Sequence, residues 1–350
     1  MPFASQSHVA ASDRVVPFHA RDGRPCNVIQ VRGDRSPDKG PVLLVHGAGV
    51  RANIFRAPVE ATVVDLLLDA GYDVWMENWR ASIDLTPCRW TIDQAALYDH
   101  PAAVETVVKE TGAASIKAIV HCQGSTSFCL SAVLGLVPQV STIISNAVSF
   151  HTVVPLAARI KGTLSVPLLA SLTPFVNPQW GLHPPGVLAK VLNGVIRLTH
   201  HECDNIVCRW SSFAYGVGFP TLWRHENLNA ATHDWMQAEF SDVPLTFFQQ
   251  MNRCVAAGHL VAYDRPEAVP ADPIAAAPRT DARFAFFTGA KNRCFLPESQ
   301  QRSFAWLDGI RPGYHSLHVI PEYGHLDIFM GQDAHRDVLP LMVQELDRPD

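Results

Sequence analysis

The chain has 350 residues, 47% of them hydrophobic, and a net charge of −5. That is enough apolar material for a sizeable core and more length than one simple domain needs, as in an α/β domain carrying an insertion. No block of like charge occurs and the pI is about 6.3, so the basic footprint of a nucleic-acid binder or of a protein drawn to an anionic membrane surface is missing. Eight cysteines are too sparse for a disulfide scaffold, and no uninterrupted apolar run reaches the ~18 residues of a membrane span. The stretch "MPFASQSHVAASDRVV" lacks the charged start and apolar run of a signal peptide. A cytoplasmic protein with reduced thiols is expected.

In chain order, "RVVPFHARDGRPCNVIQVRG" holds two short apolar runs around Asp22-Gly23, a hairpin signal. "GPVLLVHGAGV" (40–50) is a continuous apolar run ending in glycines, as in a strand buried on both faces. A helix, a stop at Gly71 and a strand over 72–77 follow. The pattern repeats as helix, Gly112 and strand 116–121, then as a helix over "SFCLSAVLGL" and a strand over "VSTIISNAVS". Helices alternating with apolar strands predict βαβ units and a parallel sheet. From 151 to about 280 the rhythm breaks. That block is rich in proline, tryptophan and helical patterns, with an apolar stretch broken by Pro167, Pro174 and Pro178. Its apolar residues are expected mainly in the core, with an apolar acyl pocket as the second choice and a membrane-contacting lid as the third. "AVPADPIAAAP" (268–278) reads as a loop back to the sheet, and strands return at 282–292 and 314–325. The predicted organisation is an α/β core of residues 1–150 and 281–350, with a helical cap (lid) inserted at 151–280.

In an open parallel sheet, ligands bind at the carboxyl ends of the strands. "HGAG" (46–49), "HCQG" (121–124), "GAKN" (289–292) and "YGHLD" (323–327) all fall at such ends. "IVHCQGSTSF" has the form of the strained strand-to-helix turn that presents a nucleophile. Cys122 stands at the nucleophile position, and Gly124 supplies the small residue two places on. Val120, two places before, is larger than the turn prefers. By type alone Cys122 is one small buried residue among eight cysteines; the strand–turn–glycine–helix context is what singles it out. At a helix N-terminus its thiol pKa is expected to fall. His325, after the last strand, is the candidate base, and Asp327 is expected to cap the next helix. Where a serine site would carry an aspartate, this chain has Asn292. In a serine enzyme that exchange costs about 10⁴-fold, but a thiolate–imidazolium pair needs a third group only to orient the ring, and Cys-His-Asn is a working combination. The alternative is that Asn292 is a turn residue. The backbone amides of Gln123 and Ala48 are the expected oxyanion donors, with His46 and His121 supporting their loops.

These motifs resemble the α/β-hydrolase superfamily, with Cys122, Asn292 and His325 in its order of nucleophile, acid position and histidine. "GYDVWMENWRAS", "VHCQGSTSF", "GAKNRCFLPES" and "YGHLDIFMGQDA" are similar to a bacterial branch that occurs alone or fused to cholesterol-oxidase-like flavoenzymes, over residues 15–345. Acid lipases carry the related turn "HSQG". Dienelactone hydrolases and polyhydroxyalkanoate synthases use a cysteine on this fold, but with an aspartate where this chain has Asn292. The resemblance implies the α/β-hydrolase fold, a mostly parallel sheet flanked by helices, and a site built on these residues.

A second group, His200, His201, Cys203 and Cys208 in "THHECDNIVCRW", is followed by His225 and His233. The Cys-x4-Cys spacing is looser than a zinc-ribbon pair and no second cysteine pair follows, so packing rather than a metal is expected. The reading that results is a cysteine-nucleophile hydrolase of an ester, thioester or lactone with an apolar acyl part, working without cofactor or metal on a small molecule. The alternatives are an acyltransferase or cyclase using the same site, and a non-catalytic ligand-binding protein on the hydrolase scaffold. Substrate-contacting residues and oligomeric state are not written in the motifs.

Overall fold

A computed structural model of the chain describes residues 12–200, 203–264 and 268–349. The first half runs β1 (Ser12–His19), β2 (Pro25–Arg32), β3 (Pro41–Val45), α1 (Val63–Asp69), β4 (Asp73–Asn78), α2 (Ile92–Gln94), α3 (His100–Thr111), β5 (Ile116–His121), α4 (Cys122–Val133) and β6 (Val140–Asn146). Local chemistry sets several boundaries. Thr62 and Asp65 close a reciprocal capping box at the start of α1, and Gly112, at φ 69°, ends α3 in the left-handed region. Gly23 turns the β1–β2 hairpin at φ 84°.

After β6 the chain leaves the sheet. It builds α5 (Leu156–Leu172), β7 (Phe175–Val176), α6 (Val187–Thr199), α7 (Ile206–Tyr215), α8 (Ala230–Trp235), β8 (Val243–Pro244) and α9 (Leu245–Ala257). It returns as β9 (Arg283–Gly289), α10 (Pro297–Ile310), β10 (Ser316–Ile320), α11 (Asp327–Met330), α12 (Ala334–Asp337) and α13 (Leu339–Asp347). The eight-stranded sheet has the order β1-β2-β4-β3-β5-β6-β9-β10. The β1–β2 and β2–β4 pairs are antiparallel and every other pair is parallel. Every residue of β3, β4 and β9 is buried, which is why these strands read as unbroken rather than alternating runs.

Two expectations about the inserted block are corrected. Pro167 lies inside the continuous helix α5 and does not break it; proline's missing N–H costs one bond of the ladder, but the flanking turns still close. The apolar residues of the block are not all core. Leu156, Ile160, Leu164, Leu168 and Leu172 form an exposed stripe along α5, and Val187, Val191, Val195 and Leu198 form another on α6. α5 is apolar on all sides, so its sequence does not say which face is inward, whereas α6 is strongly amphipathic and yet turns most of its apolar face outward. No helix among the described residues is long and apolar enough to cross a membrane.

Candidate active site

The strand-to-helix turn forms despite Val120. Cys122, the first residue of α4, has φ 56°, a strained conformation for a non-glycine residue and typical of functional turns. Val120 is fully buried, and its lateral neighbour on β6 is the small Ser145, which is hydrogen-bonded to Ser125 of α4 at 2.7 Å. Those two serines keep the strand–helix junction thin. Gly124 is obligatory, because a Cβ there would lie 2.1 Å from the His46 carbonyl oxygen. A Cβ on Gly47 would lie 2.9 Å from the Cys122 Cβ, so glycine at 47 lets the β3 loop come up beside the nucleophile position. Behind the turn, His100 bridges Glu77 of β4 and Ser127 of α4, the latter at 2.7 Å.

The expected residues converge. The backbone amides of Gln123 and Ala48 both act on the Cys122 sulfur. One ring nitrogen each of His121 and His325 and the Cys122 Sγ lie within 4.8 Å of one another. Asn292 Nδ2 is 3.1 Å from His325 Nδ1. The His121 ring packs on that of His325 at 4.8 Å between centroids, and His46 Nδ1 donates to the Gly47 carbonyl at 2.7 Å, so both histidines brace the loops. Asp327 does not cap its own helix. It accepts N–H from Gly324 at 3.0 Å and from Arg224 at 3.3 Å, and the Asn227 side chain at 2.7 Å, tying the His325 loop to the inserted block.

The polarity of the Asn292 contact decides the state of His325. Asn292 Oδ1 accepts the backbone N–H of Cys294 at 3.0 Å and of Phe295 at 3.2 Å. That end of the carboxamide must be the oxygen, so Nδ2, which only donates, faces His325 Nδ1. Nδ1 therefore carries the lone pair and the ring proton sits on Nε2, which is buried without a partner. An aspartate would accept on both sides and hold the proton on Nδ1, leaving Nε2 free as a base.

The electrostatic expectation for Cys122 is corrected accordingly. Burial pushes the Cys122 thiol up to about 12, outweighing the two amides that favour its anion. Burial also pushes His325 down to about 3. The resting pair is a neutral thiol and a neutral imidazole, not a thiolate and an imidazolium; the protonated ring would set Nδ1–H against the Asn292 N–H.

A largely apolar pocket opens from Cys122 and Gln123 into the inserted block, between α5, α7 and α9. Four of its residues were not singled out in the sequence. Tyr215 ends α7 and donates to the Ala48 carbonyl at 2.9 Å. Lys161 is held by the carbonyls of Phe213 and Gly216 and pushed down to about 8 by burial. Cys294 and Phe295 complete the wall beside Cys122. No motif marks Tyr215 and Lys161, which only the packing of the insertion on the sheet brings there, while Cys294 and Phe295 lie within "GAKNRCFLPES" without having been given a role.

The second group divides. Cys203, Cys208, His225 and His233 come together with their ligand atoms within 4.8 Å of one another. His200 lies instead against Phe213 and Phe219, and His201 is outside the described residues.

No known family profile matches the chain. Its sequence is similar to human lipase member K, at 22% identity over 89% of this chain and 82% of that protein. It is also similar to rat gastric triacylglycerol lipase, at 28% identity, but over only 30% of this chain and 34% of that one. The structure matches an esterase from Thermogutta terrifontis over 95% of this chain and 98% of that one, with a TM-score of 0.55 at 14% identity. The chain has the α/β-hydrolase fold. Within this fold Cys122 stands at the strand-to-helix turn after β5, and part of the segment between β6 and β9 lines the pocket before it.

Proposed function

We propose that the protein is an esterase- or thioesterase-type hydrolase of lipid-like substrates with apolar acyl groups, and that Cys122 is its nucleophile. The carrying observation is a cysteine held at φ 56° with the Gln123 and Ala48 amides directed at its sulfur and an apolar pocket before it. The relation to lipases over most of the chain supports the reaction class. Residues 151–280 act as the cap that shapes the pocket, and residues 1–150 and 281–350 form the core.

In this reading the Cys122 proton passes to His325 Nε2 as the sulfur attacks the carbonyl, and the amides of Gln123 and Ala48 stabilise the oxyanion. His325 takes that proton only in its Nδ1–H form. That form requires the ring to give its Nε2 proton to water and take one from water at Nδ1, with a half-turn of the Asn292 carboxamide bringing Oδ1 to hold the new Nδ1–H and giving up the bonds from Cys294 and Phe295. His325 then protonates the leaving alcohol or thiol, and the acyl group remains on sulfur. Water, deprotonated by His325, releases the acid and restores the thiol. The buried sulfur and apolar pocket equally favour capture by an alcohol or amine, so partitioning between water and an added amine separates hydrolase from acyltransferase. A second reading, a ligand-binding protein on the hydrolase scaffold, is favoured by the Nε2–H tautomer and the neutral thiol. Activated esters and thioesters of graded chain length decide between them. Mass spectrometry should find the acyl group on Cys122, and turnover should vanish in Cys122→Ala. Equal acylation of Cys122→Ala, or no adduct at all in the wild type, would sink the reading.

A further inference from the structure

Away from the acyl site, two cysteines and two histidines from separate turns of the insertion meet at one point. Cys203 precedes α7, Cys208 lies in its first turn, His225 sits on a short 3₁₀ turn (His225–Asn227) and His233 lies in α8. Cys203 Sγ is 3.4 Å from His233 Nε2, and Cys208 Sγ is 3.4 Å from His225 Nε2. The four ligand atoms lie within 4.8 Å of one another. Around tetrahedral zinc, with Zn–S of about 2.3 Å and Zn–N of about 2.0–2.1 Å, sulfur and nitrogen ligands stand roughly 3.5 Å apart. The two sulfur–nitrogen pairs stand at that spacing, and the other pairs lie close enough to contract onto one ion.

The surroundings suit thiolates. The backbone N–H of Asn205 donates to Cys203 Sγ at 3.4 Å. Asn205 also caps α7 through the amides of Val207 and Cys208, and its Nδ2 donates to the His233 carbonyl at 2.8 Å. The buried Trp223 Nε1–H, two residues before His225, has no hydrogen-bond acceptor. Cys208 is buried, while the other three ligands are partly exposed along a shallow depression that also includes Leu228 and Asn229, so an ion has a way in.

We infer that Cys203, Cys208, His225 and His233 bind one structural zinc ion that staples α7 to α8. Binding replaces two thiol protons, which leave to solvent, and uses Nε2 of each imidazole. Four protein ligands close the shell, as in structural rather than catalytic zinc sites. The sulfur–nitrogen donor set selects zinc over the oxygen-seeking magnesium and calcium. Because α7 ends in Tyr215, which holds the Ala48 carbonyl at 2.9 Å, the ion steadies the element that reaches the oxyanion loop.

The test is independent of any acyl chemistry. Untagged full-length protein from zinc-supplemented cells should carry about one zinc per chain by mass spectrometry and release it on mercuration of its thiols. Metal-free wild type titrated with Co²⁺ should show the intense visible bands of a tetrahedral ion and a thiolate-to-cobalt charge-transfer band. Cys208→Ser and His225→Ala should each lose stoichiometric metal, whereas Cys122→Ala should keep it, which separates this group from the His121–Cys122–His325 cluster. Wild type with no zinc and no charge-transfer band overturns the proposal. So does a Cys203–Cys208 disulfide in protein kept under reducing conditions, and so does metal lost in Cys122→Ala but kept in Cys208→Ser. The wild-type measurements do not depend on whether any variant folds.

Discussion

At the scale of single residues, the proposed mechanism makes Asn292 the group that limits the rate. Replacing it with aspartate leaves one carboxylate oxygen for the amides of Cys294 and Phe295 and gives the other to His325 Nδ1–H. Asn292→Asp should therefore acylate from an activated ester at least ten-fold faster than wild type, the reverse of the roughly 10⁴-fold loss that the opposite exchange causes in a serine triad. A slower variant in a stopped-flow assay would contradict the tautomer argument. The pH profile follows from the same groups. With the thiol at about 12 and His325 at about 3, both partners stay neutral between those values, so the acylation rate should be flat from pH 5 to 9. A preformed thiolate–imidazolium pair would instead give a limb near neutrality. That Cys122, Asn292 and His325 come together was legible in the sequence, because the fold places the residues after these strands at one end of the sheet. Which end of a carboxamide faces the imidazole was not legible, since it depends on two backbone amides that Asn292 itself turns.

At the scale of elements, the β5–α4 junction works by absence of side chain. Gly124→Ala would drive a Cβ to 2.1 Å from the His46 carbonyl. Either α4 or the β3 loop must retreat, and the Ala48 amide moves with that loop. The variant should lose about 1–3 kcal/mol of stability, as overpacked sites do, and a larger share of its acylation rate; urea titration and the rate assay check the two separately. Tyr215→Phe removes the hydroxyl that holds the Ala48 carbonyl without changing the packed ring, and should lower the rate with little change in unfolding midpoint. The strands themselves were readable because burial on both faces makes them continuous apolar runs. The helices of the insertion were readable as helices but not as surfaces: nothing in "LAARIKGTLSVPLLASL" says that Leu164 and Leu168 point outward. Leu164→Gln with Leu168→Gln should leave the thermal midpoint nearly unchanged and shorten retention on a phenyl column, as expected for an exposed apolar stripe. Cys203, Cys208, His225 and His233 stood out in the sequence as a group, but that their ligand atoms meet was not legible, because that depends on how α7, α8 and the turn at His225 pack together.

At the scale of the whole molecule, three histidines are buried as neutral groups. Burial pushes His46 and His325 down to about 3 and His121 well below its ordinary value. The unfolded chain binds these protons near pH 6.5 and the folded chain does not. Stability from these groups is therefore complete above that pH and is lost as pH falls from about 6.5 towards 3, at about 1.4 kcal/mol per pH unit for each histidine. The urea midpoint should drop steeply between pH 6.5 and 5, and a midpoint constant over that range would show that the rings are not buried as described. The insertion is a different kind of burden. It leaves the sheet at Asn146 and returns at Arg283 on strands that are immediate neighbours, with Asn146 opposite Phe287. The entropy of closing such a loop grows only with the logarithm of its length, so a loop ten times longer than an ordinary turn costs about 2 kcal/mol more. The two strand ends thus work as a socket. A roof of another size or shape can be seated between β6 and β9 at small thermodynamic penalty, leaving the β5–α4 turn beneath it as it is.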